Sequence, residues 1–551
     1  MKRFRLALAM LALCALMGTA VMLGSSYAPV VQPCPEDIEA IWAIEDARKE
    51  SAQPLVTALE NDGMPLAYDR ESNTFYCTLG LGQTEAWPQL HLTAPDAKGV
   101  RLMFADDYTY DWCADAICEG YAYQLLAYTD EAFSYAQVVF TGLPLVMIGC
   151  SEEIGDLDVP MQAAVSAYGH EPVVSAGNVH LRGNGSKDNE KKNLKVEFTR
   201  GPGGKRSRVQ LPGFGLRDEI LLNPMAFDTL LIRDRLSWAV YAEMLPEGYA
   251  GGFAERRTAY AEVFLNDEYY GVYLMMEPMD EEDELALEGR LHPVTDSVYR
   301  TLPARNIEAH RPVLAKPGSD GTVFELRYAP AGAEPFRAMD AYLDLLAETD
   351  DEAFIRKAEA CVDIESVVRY ALLTQAAGLT DNGNNNAYIW ARHDQGGMRY
   401  VFAPWDMDMS WGQAWGDVSL KLGERYDAWR AFQLLDRMIA LNVGGAADLT
   451  AARWRQWRED IFTTERIVEL MQGYFTELSE SGALVRNAQR WGLDADTEGN
   501  AVIEFADLRF GALDRAAAII ENRGGEIPAF LRRVGEDLNC YPIDVTEDEM
   551  Q

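Results

Sequence analysis

The hydrophobic pattern of this chain changes period once, and that change limits the folds open to it. Up to about Met276 the apolar residues come in short β-branched and aromatic runs: "NTFYCTLGL", "VRLMFADDYTY", "AYQLLAYT", "AQVVFTGLPLVMI" and "AYAEVFLNDEYYGVYLMMEPM". Runs of this kind, punctuated by turn residues, are strand signals. In the last of them Asn266-Asp267 reads as the turn of a hairpin between Tyr260–Leu265 and Tyr269–Met276. From about Glu334 the spacing becomes helical, in "PFRAMDAYLDLLAET", "DIESVVRYALLTQAAG", "WRAFQLLDRMIALN", "AARWRQWREDIFTTERIVELMQGYFTELSES" and "EFADLRFGALDRAAAIIENRG". A short helix in "EDIEAIWAIEDARKES" precedes the strands. Another, "DTLLIRDRLSWAVYAEM", interrupts them, with Ile232, Leu236, Ala239 and Val240 on one stripe. The expected class is α+β: a β-rich part, then a helical part, with no internal repeat.

At 551 residues the chain is too long for one core, and two to four domains are expected. Its start reads as an export signal. Lys2, Arg3 and Arg5 precede an apolar run of 18 residues, Leu6–Leu23, and Ser26-Tyr27-Ala28 fits a cleavage site. The run also has spanning length, so residues 6–23 are either removed or kept as a membrane anchor. Seven cysteines follow the signal; Cys113 and Cys118 are close enough to bridge, and the odd count leaves one thiol over. A net charge of −38 disfavours nucleic acid and anionic membranes as partners. The acidic stretch Asp106–Asp115 reads as a solvated loop.

The chemistry concentrates in "TDNGNNNAYIWARHDQGGMRYVFAPWDMDMSW", Thr380–Trp411. Isolated carboxylates among tryptophans are costly unless they bind something. Asp381 precedes Asn386 by five residues, a hairpin turns at Gln395-Gly396-Gly397, and Asp406 and Asp408 follow. Oxygen-only ligands suit a hard cation, Mg2+ or Mn2+, shared with substrate phosphates. An Asp, an Asn five residues on, and a separate Asp beyond a short hairpin is the protein-kinase arrangement for phosphoryl transfer. A cation for the phosphates should come from the β-rich part. If a strand runs Lys192–Phe198, alternation puts Lys192 with Leu194, Val196 and Phe198 on one face, and Lys191, Asn193, Lys195 and Glu197 on the other. Lys192 heads the apolar face and is the chosen phosphate contact; the alternative is a lysine snorkelling from a strand end.

These residues resemble the CotH kinase family, named for spore coat protein H. Its features occur in order, as "VHLRGNGS", "KKNLKVEF", "DTLLIRDRL", "VFLNDEYYGVYLMMEPM", the Asp381/Asn386 pair and "PWDMD", over about Asn178–Trp411. The resemblance implies a two-lobed atypical protein-kinase-like domain over 165–535, with a β-rich N-lobe and a helical C-lobe. A signal or anchor (1–28) and a mainly-β accessory domain (33–160) precede it, and an acidic tail (540–551) follows. It also implies roles. Asp381 is the catalytic aspartate acting on the acceptor hydroxyl. Asn386 and Asp406 are metal ligands, with Asp408 a further candidate. Lys192 contacts phosphate, and Glu277 lies near the inter-lobe hinge by the nucleotide. Arg182, Asp228 and Arg233 belong to family motifs; their plainer reading is a buried ion pair, with Arg182 kept as a cofactor-binding candidate. Glu243 is a candidate partner for Lys192. The implied cofactors are ATP or another nucleoside triphosphate with Mg2+ or Mn2+, and the implied partner is a protein substrate outside the cytoplasm, secreted, at the cell surface or on the spore.

Two other readings compete. One is a non-catalytic surface or spore-coat assembly protein on the same fold. The other is a secreted glycan-active enzyme using Asp381 and Asp406 as an acid/base pair, which gives Lys192 and Asn386 no role. "RGPGGKRS" is not a P-loop, since Arg206 stands where Ser or Thr must bind magnesium. "DADTEGNAVIEF" puts Phe505 where an EF-hand needs its glutamate.

Overall fold

A computed structural model describes residues 30–35, 38–80, 92–95, 97–106, 114–183, 189–249, 253, 256–279, 291–303, 315–317, 322–379, 382, 385–394, 396–413, 433–492 and 499–522. The apolar run 6–23, Cys113 of the expected bridge, the 540–551 tail and Asp381 lie outside them. No described helix is long and apolar enough to cross a membrane. The chain divides into two units. The first draws on 1–226, 258–276 and 474–495, the second on 227–257, 277–473 and 496–551.

The first unit opens with a mixed seven-stranded sheet. Six of its strands run in the order Val31–Gln32, Arg101–Phe104, Ala122–Tyr128, Ala132–Thr141, Thr74–Thr78, Ala67–Asp69, and Lys49–Glu50 pairs with Ala132–Thr141 as well. Its apolar face is filled by Phe75, Leu125, Val138 and Phe140. Asp106, first residue of the acidic stretch, is buried and accepts from the Gln124 N–H and the Tyr121 hydroxyl. Burial nevertheless pushes its carboxyl above the usual range.

The next strands close into a barrel: β1 (Leu145–Cys150), β2 (Val159–Ser166), β3 (Val173–Leu181), β4 (Leu194–Thr199), β5 (Glu219–Asn223), β6 (Thr258–Leu265) and β7 (Tyr269–Met276). The order is β1-β2-β3-β4-β5-β7-β6, and the parallel β6/β1 pair completes the ring. The barrel therefore begins at Leu145, inside the span 33–160 expected for the accessory domain. Alternation fills its interior with Val146, Ile148, Met161, Leu194, Val196, Phe198, Val263 and Met275. Asn266 and Asp267 both take positive φ (54° and 62°), the type I′ geometry that joins β6 to β7 as the sequence indicates.

A helix from far along the chain, Ala483–Trp491, packs on β7. Its Arg486 forms a two-pronged ion pair with Glu262 of β6, Nε to Oε1 at 2.9 Å and Nη2 to Oε2 at 2.8 Å. Both side chains are buried, and the Tyr269 hydroxyl also donates to Glu262.

The second unit is built on an antiparallel sheet of β8 (Ser297–Pro303), β9 (Ala315–Pro317), β10 (Thr322–Tyr328), β11 (Ala387–Asp394) and β12 (Gly397–Pro404), in the order β9-β10-β8-β11-β12. The β11/β12 hairpin matches the expected one. The sequence reading gave no strands at 297–328, so this sheet is larger than expected. The α-helices lying wholly within this unit among the described residues are α1 (Arg233–Glu243), α2 (Arg337–Leu346), α3 (Asp351–Cys361), α4 (Ile364–Ala377), α5 (Gln433–Ala440), α6 (Ala446–Trp457) and α7 (Asn500–Asn522). One sheet residue set, Tyr299, Phe324, Ile389, Tyr400 and Phe402, shares a core with Tyr342 of α2, Phe354 of α3, Tyr370 of α4 and Leu435 of α5. Alternate residues Tyr388 and Trp390 meet other aromatics, Trp405 and Phe253. The expected α1 stripe is part of a wider contact: Leu236, Val240, Ser237, Trp238 and Tyr241 are all buried.

Removing one member of a buried ion pair leaves an uncompensated charge. Arg486→Ala should therefore cost about 3–5 kcal/mol, read as a lower urea midpoint. The double variant Glu262→Gln/Arg486→Met should lose less than the two single variants added together.

Candidate active site

Helix α4 sets the geometry of the second unit's polar centre. Asp363 caps its start, accepting from the Ser366 N–H at 2.9 Å. It ends at Gly378, whose φ of +63° is the left-handed cap that favours glycine, and a Cβ there would lie 2.4 Å from Phe505 of α7. Buried Arg369 in its middle stacks on Tyr241, 3.5 Å from the ring centroid, and donates to the Tyr241 and Phe253 carbonyls. Burial pulls its guanidinium below its ordinary value.

Beyond this cap, Asn382 is fully buried and bridges two strands' ends. Its Nδ2 donates to the Asn386 carbonyl at 3.1 Å and the Trp405 carbonyl at 2.8 Å. Its own carbonyl accepts from the Tyr370 hydroxyl of α4 at 2.7 Å. The Trp405 N–H donates to the Asn386 carbonyl at 2.8 Å, so the residue before β11 and the residue after β12 are locked together. Two expected metal ligands, Asn386 and Asp406, thus sit at adjacent ends of one hairpin. Both have left-handed backbones, φ 53° and 55°. Asn and Asp enter that region more readily than other side-chain residues, but it still costs energy that surrounding contacts must offset.

The loop after β12 is fixed to α1 and α4. Buried Asp234 of α1 accepts from the Met407 N–H at 3.3 Å. Ser237 accepts from the Trp411 indole at 2.9 Å and lies 3.2 Å from the Ser410 hydroxyl. The Trp411 N–H donates to the Ala377 carbonyl, and Trp238 packs edge-on against Trp405. Among the described residues nothing donates to the half-buried Asp406 carboxylate. Asn386 Oδ1 accepts from Arg300 Nη2 at 3.1 Å, which uses one of its two lone pairs.

These groups fit a small hard cation. A free carboxylate and an amide oxygen supply two hard ligands, and Mg2+ takes its remaining positions from water or phosphate. Among the described residues no group of three or more His, Cys, Asp or Glu is placed to hold a metal ion.

The other site candidates fall as follows. Glu277 is buried and accepts from the Arg257 N–H at 3.1 Å; the chain passes from the first unit to the second between Met276 and Glu277. Asp228 and Arg233 form the buried ion pair expected of them, and Asp228 also accepts from the N–H groups of Leu230, Ile232 and Arg233. Arg182 is not in that pair: it contacts Asn193 Oδ1 at 3.4 Å. The partner proposed for Lys192 is engaged elsewhere, since Glu243 forms an ion pair with Arg466.

Lys192 precedes β4, which starts at Leu194 rather than at the expected Lys192; it is half-buried, and its carbonyl accepts from the Tyr273 hydroxyl. Its neighbour Lys191 is buried, donating to the Val272 carbonyl and Asn487 Oδ1 and lying 4.9 Å from the Tyr273 ring centroid. Lys195 meets Glu219 at 2.7 Å, and Arg206 bonds both Glu219 and Glu197. Burial would raise the Glu197 carboxyl, but Lys195 and Arg206 outweigh it and hold it below its usual range.

The profile of the family described as CotH kinase protein matches residues 179–513, more than half of the chain. The chain belongs to the CotH kinase family. No curated protein matches it. The CotH match covers β4 through most of α7, and so includes Asn382, Asn386 and Asp406. Three residues of this CotH centre were missed by sequence reasoning: Asn382, Asp234 and Arg300. The asparagine-rich run was a visible signal for the first. Asp234 sits one residue beyond a motif position, and Arg300 lies in a strand that was not recognised.

Asn382→Ala removes two hydrogen bonds to sealed carbonyls and should cost about 2–3 kcal/mol, measured by urea unfolding. Lys191 gives a pH signature. Burial lowers its ammonium from 10.5 to about 7. Between those values the unfolded chain binds the extra proton, so the group's contribution to stability rises with pH across that window. Its burial penalty is greatest below about pH 7. In Lys191→Met the slope of stability against pH from 7 to 10 should fall below wild type by up to about 1.4 kcal/mol per pH unit.

Proposed function

We propose that this chain is an exported phosphotransferase that moves a phosphoryl group from a nucleoside triphosphate to Ser or Thr of a protein outside the cytoplasm, on the cell surface or spore coat. Family membership supplies the kinase-like class. The observation that carries the reading furthest is the pair Asn386/Asp406, held on left-handed backbone at adjacent hairpin ends, with no described donor satisfying the Asp406 carboxylate. A structural carboxylate in this unit looks different: buried Asp296 accepts from Trp390 Nε1, the Thr295 hydroxyl and the N–H groups of His292 and His393.

Asn386 and Asp406 would hold Mg2+ or Mn2+, with Asp408 as a further candidate. Bound there, the cation would neutralise charge on the β- and γ-phosphate oxygens. Asp381 accepts the proton of the acceptor hydroxyl as its oxygen bonds to the γ-phosphorus and the bond to the leaving diphosphate breaks. Lys192 is assigned to the phosphates, Arg182 to the cofactor, and Glu277 to the nucleotide near the hinge. The two-lobed kinase arrangement and the secretory role of residues 1–28 are parts of the same proposal.

The test is transfer from labelled nucleotide in the presence of Mg2+ or Mn2+, using the full chain. Asp381→Ala and Asp406→Ala should each reduce incorporation by about 10²-fold or more, and chelation of divalent cations should abolish it. Incorporation equal to wild type in both variants would overturn the assignment.

A further inference from the structure

Arg300 has a charge that nothing described in the molecule neutralises. It lies on β8, and its cross-strand neighbours are Tyr388 on β11 and Glu325 on β10. Its sequence neighbours Tyr299 and Thr301 are fully buried, and Tyr299 belongs to the helix-covered core. Arg300 itself is half-buried. Nη2 donates to Asn386 Oδ1 at 3.1 Å, while Nε is sealed from solvent with no acceptor among the described residues. Glu325, the carboxylate opposite it in the sheet, pairs with Arg327 at 2.9 Å instead. Two enclosed arginines have a carboxylate, Arg233 with Asp228 and Arg486 with Glu262, whereas Arg369 is held by two carbonyls and the Tyr241 ring.

A guanidinium in this setting has lost part of its water without a described counter-charge, a cost that an anion would offset. Asp406 forms no ion pair with Arg300 among the described residues. A cation without a carboxylate, bonded to the Asn386 amide, and a carboxylate without a donor, one residue beyond the Trp405 that bonds the Asn386 carbonyl, are what a ligand carrying a metal and phosphate oxygens together would satisfy. The planar fork of arginine suits phosphate oxygens.

We propose that Arg300 is a direct phosphate contact of this site, binding oxygens of the polyphosphate while Asn386 and Asp406 hold its metal. This rests on the phosphotransferase reading. It adds a cation within the second unit to the one assigned to Lys192.

The experiment separates metal binding from phosphate binding in the full chain. Free Mn2+ is titrated by electron paramagnetic resonance. Inorganic triphosphate and ATP are then titrated calorimetrically at saturating Mn2+. Wild type should bind all three. Arg300→Gln should keep its Mn2+ affinity within about twofold and lose about 10- to 100-fold for both phosphate ligands. Arg300→Lys should recover part of that loss. Equal binding of triphosphate and ATP by Arg300→Gln and wild type overturns the proposal and leaves the phosphotransferase reading standing. A loss of Mn2+ affinity as large as the phosphate loss also overturns it, because Arg300 would then act only by propping Asn386. Failure of wild type to bind either phosphate ligand overturns the phosphotransferase reading and this proposal with it.

Discussion

One buried side-chain amide holds the candidate site in shape. Asn382 Nδ2 is shared between the carbonyls of Asn386 and Trp405, and these two residues are also joined by a main-chain hydrogen bond. Left-handed φ at Asn386 and Asp406 is unfavourable in isolation, at about 1–3 kcal/mol each. The hydrogen bonds from Asn382 Nδ2 and from the Trp405 N–H hold the main chain at this point. Asn382 is itself placed by Tyr370, and Tyr370 belongs to a helix buried along nearly its whole length. The chain of cause runs from the apolar packing of α4, through a tyrosine hydroxyl, to the orientation of two oxygen ligands. In phosphoryl transfer preorganised groups supply much of the catalytic advantage, and in the proposed function this packing would supply that preorganisation.

Asp228 and Asp296 are enclosed and engaged, Arg233 holds Asp228, and Arg369 is held by carbonyls and the Tyr241 ring. Asp406 and Arg300 are not matched to each other or to any described carboxylate or guanidinium. Such mismatches cost stability, and stable folds retain few of them. Arg300 bonds the Asn386 side chain, and Asp406 follows the residue that bonds the Asn386 carbonyl, so the two mismatches lie close to the residues proposed to hold the metal.

Local features of this fold were legible in the sequence, and partnerships were not. Asn266-Asp267 specified its turn because few residue pairs accept two consecutive positive φ angles. The β11/β12 hairpin, α4 and α7 followed from short-range period. The strands at 297–328 were not read from the sequence, and β8 lies between β10 and β11, the second of which begins 84 residues after β8 ends. The pairing of Glu243 with Arg466 spans 223 positions, and no local pattern encodes it. Lys192 was chosen by alternation, but the strand begins two residues later, so a face assignment does not extend to it. Asn382, which ties the ends of β11 and β12 together, looked like one more asparagine in a run.

The Glu262–Arg486 pair has a consequence for the order in which the molecule can be completed. The acid sits in a barrel strand and its base arrives 224 residues later. At roughly 5–20 residues per second, a ribosome takes about 10–45 s to supply that counter-charge. During this interval the nascent barrel must keep Glu262 in water, protonate it, or stay open along that wall. Maturation of the barrel is therefore tied to the synthesis of one of the last helices, and premature termination anywhere before Arg486 would yield a fragment with Glu262 lacking its counter-charge.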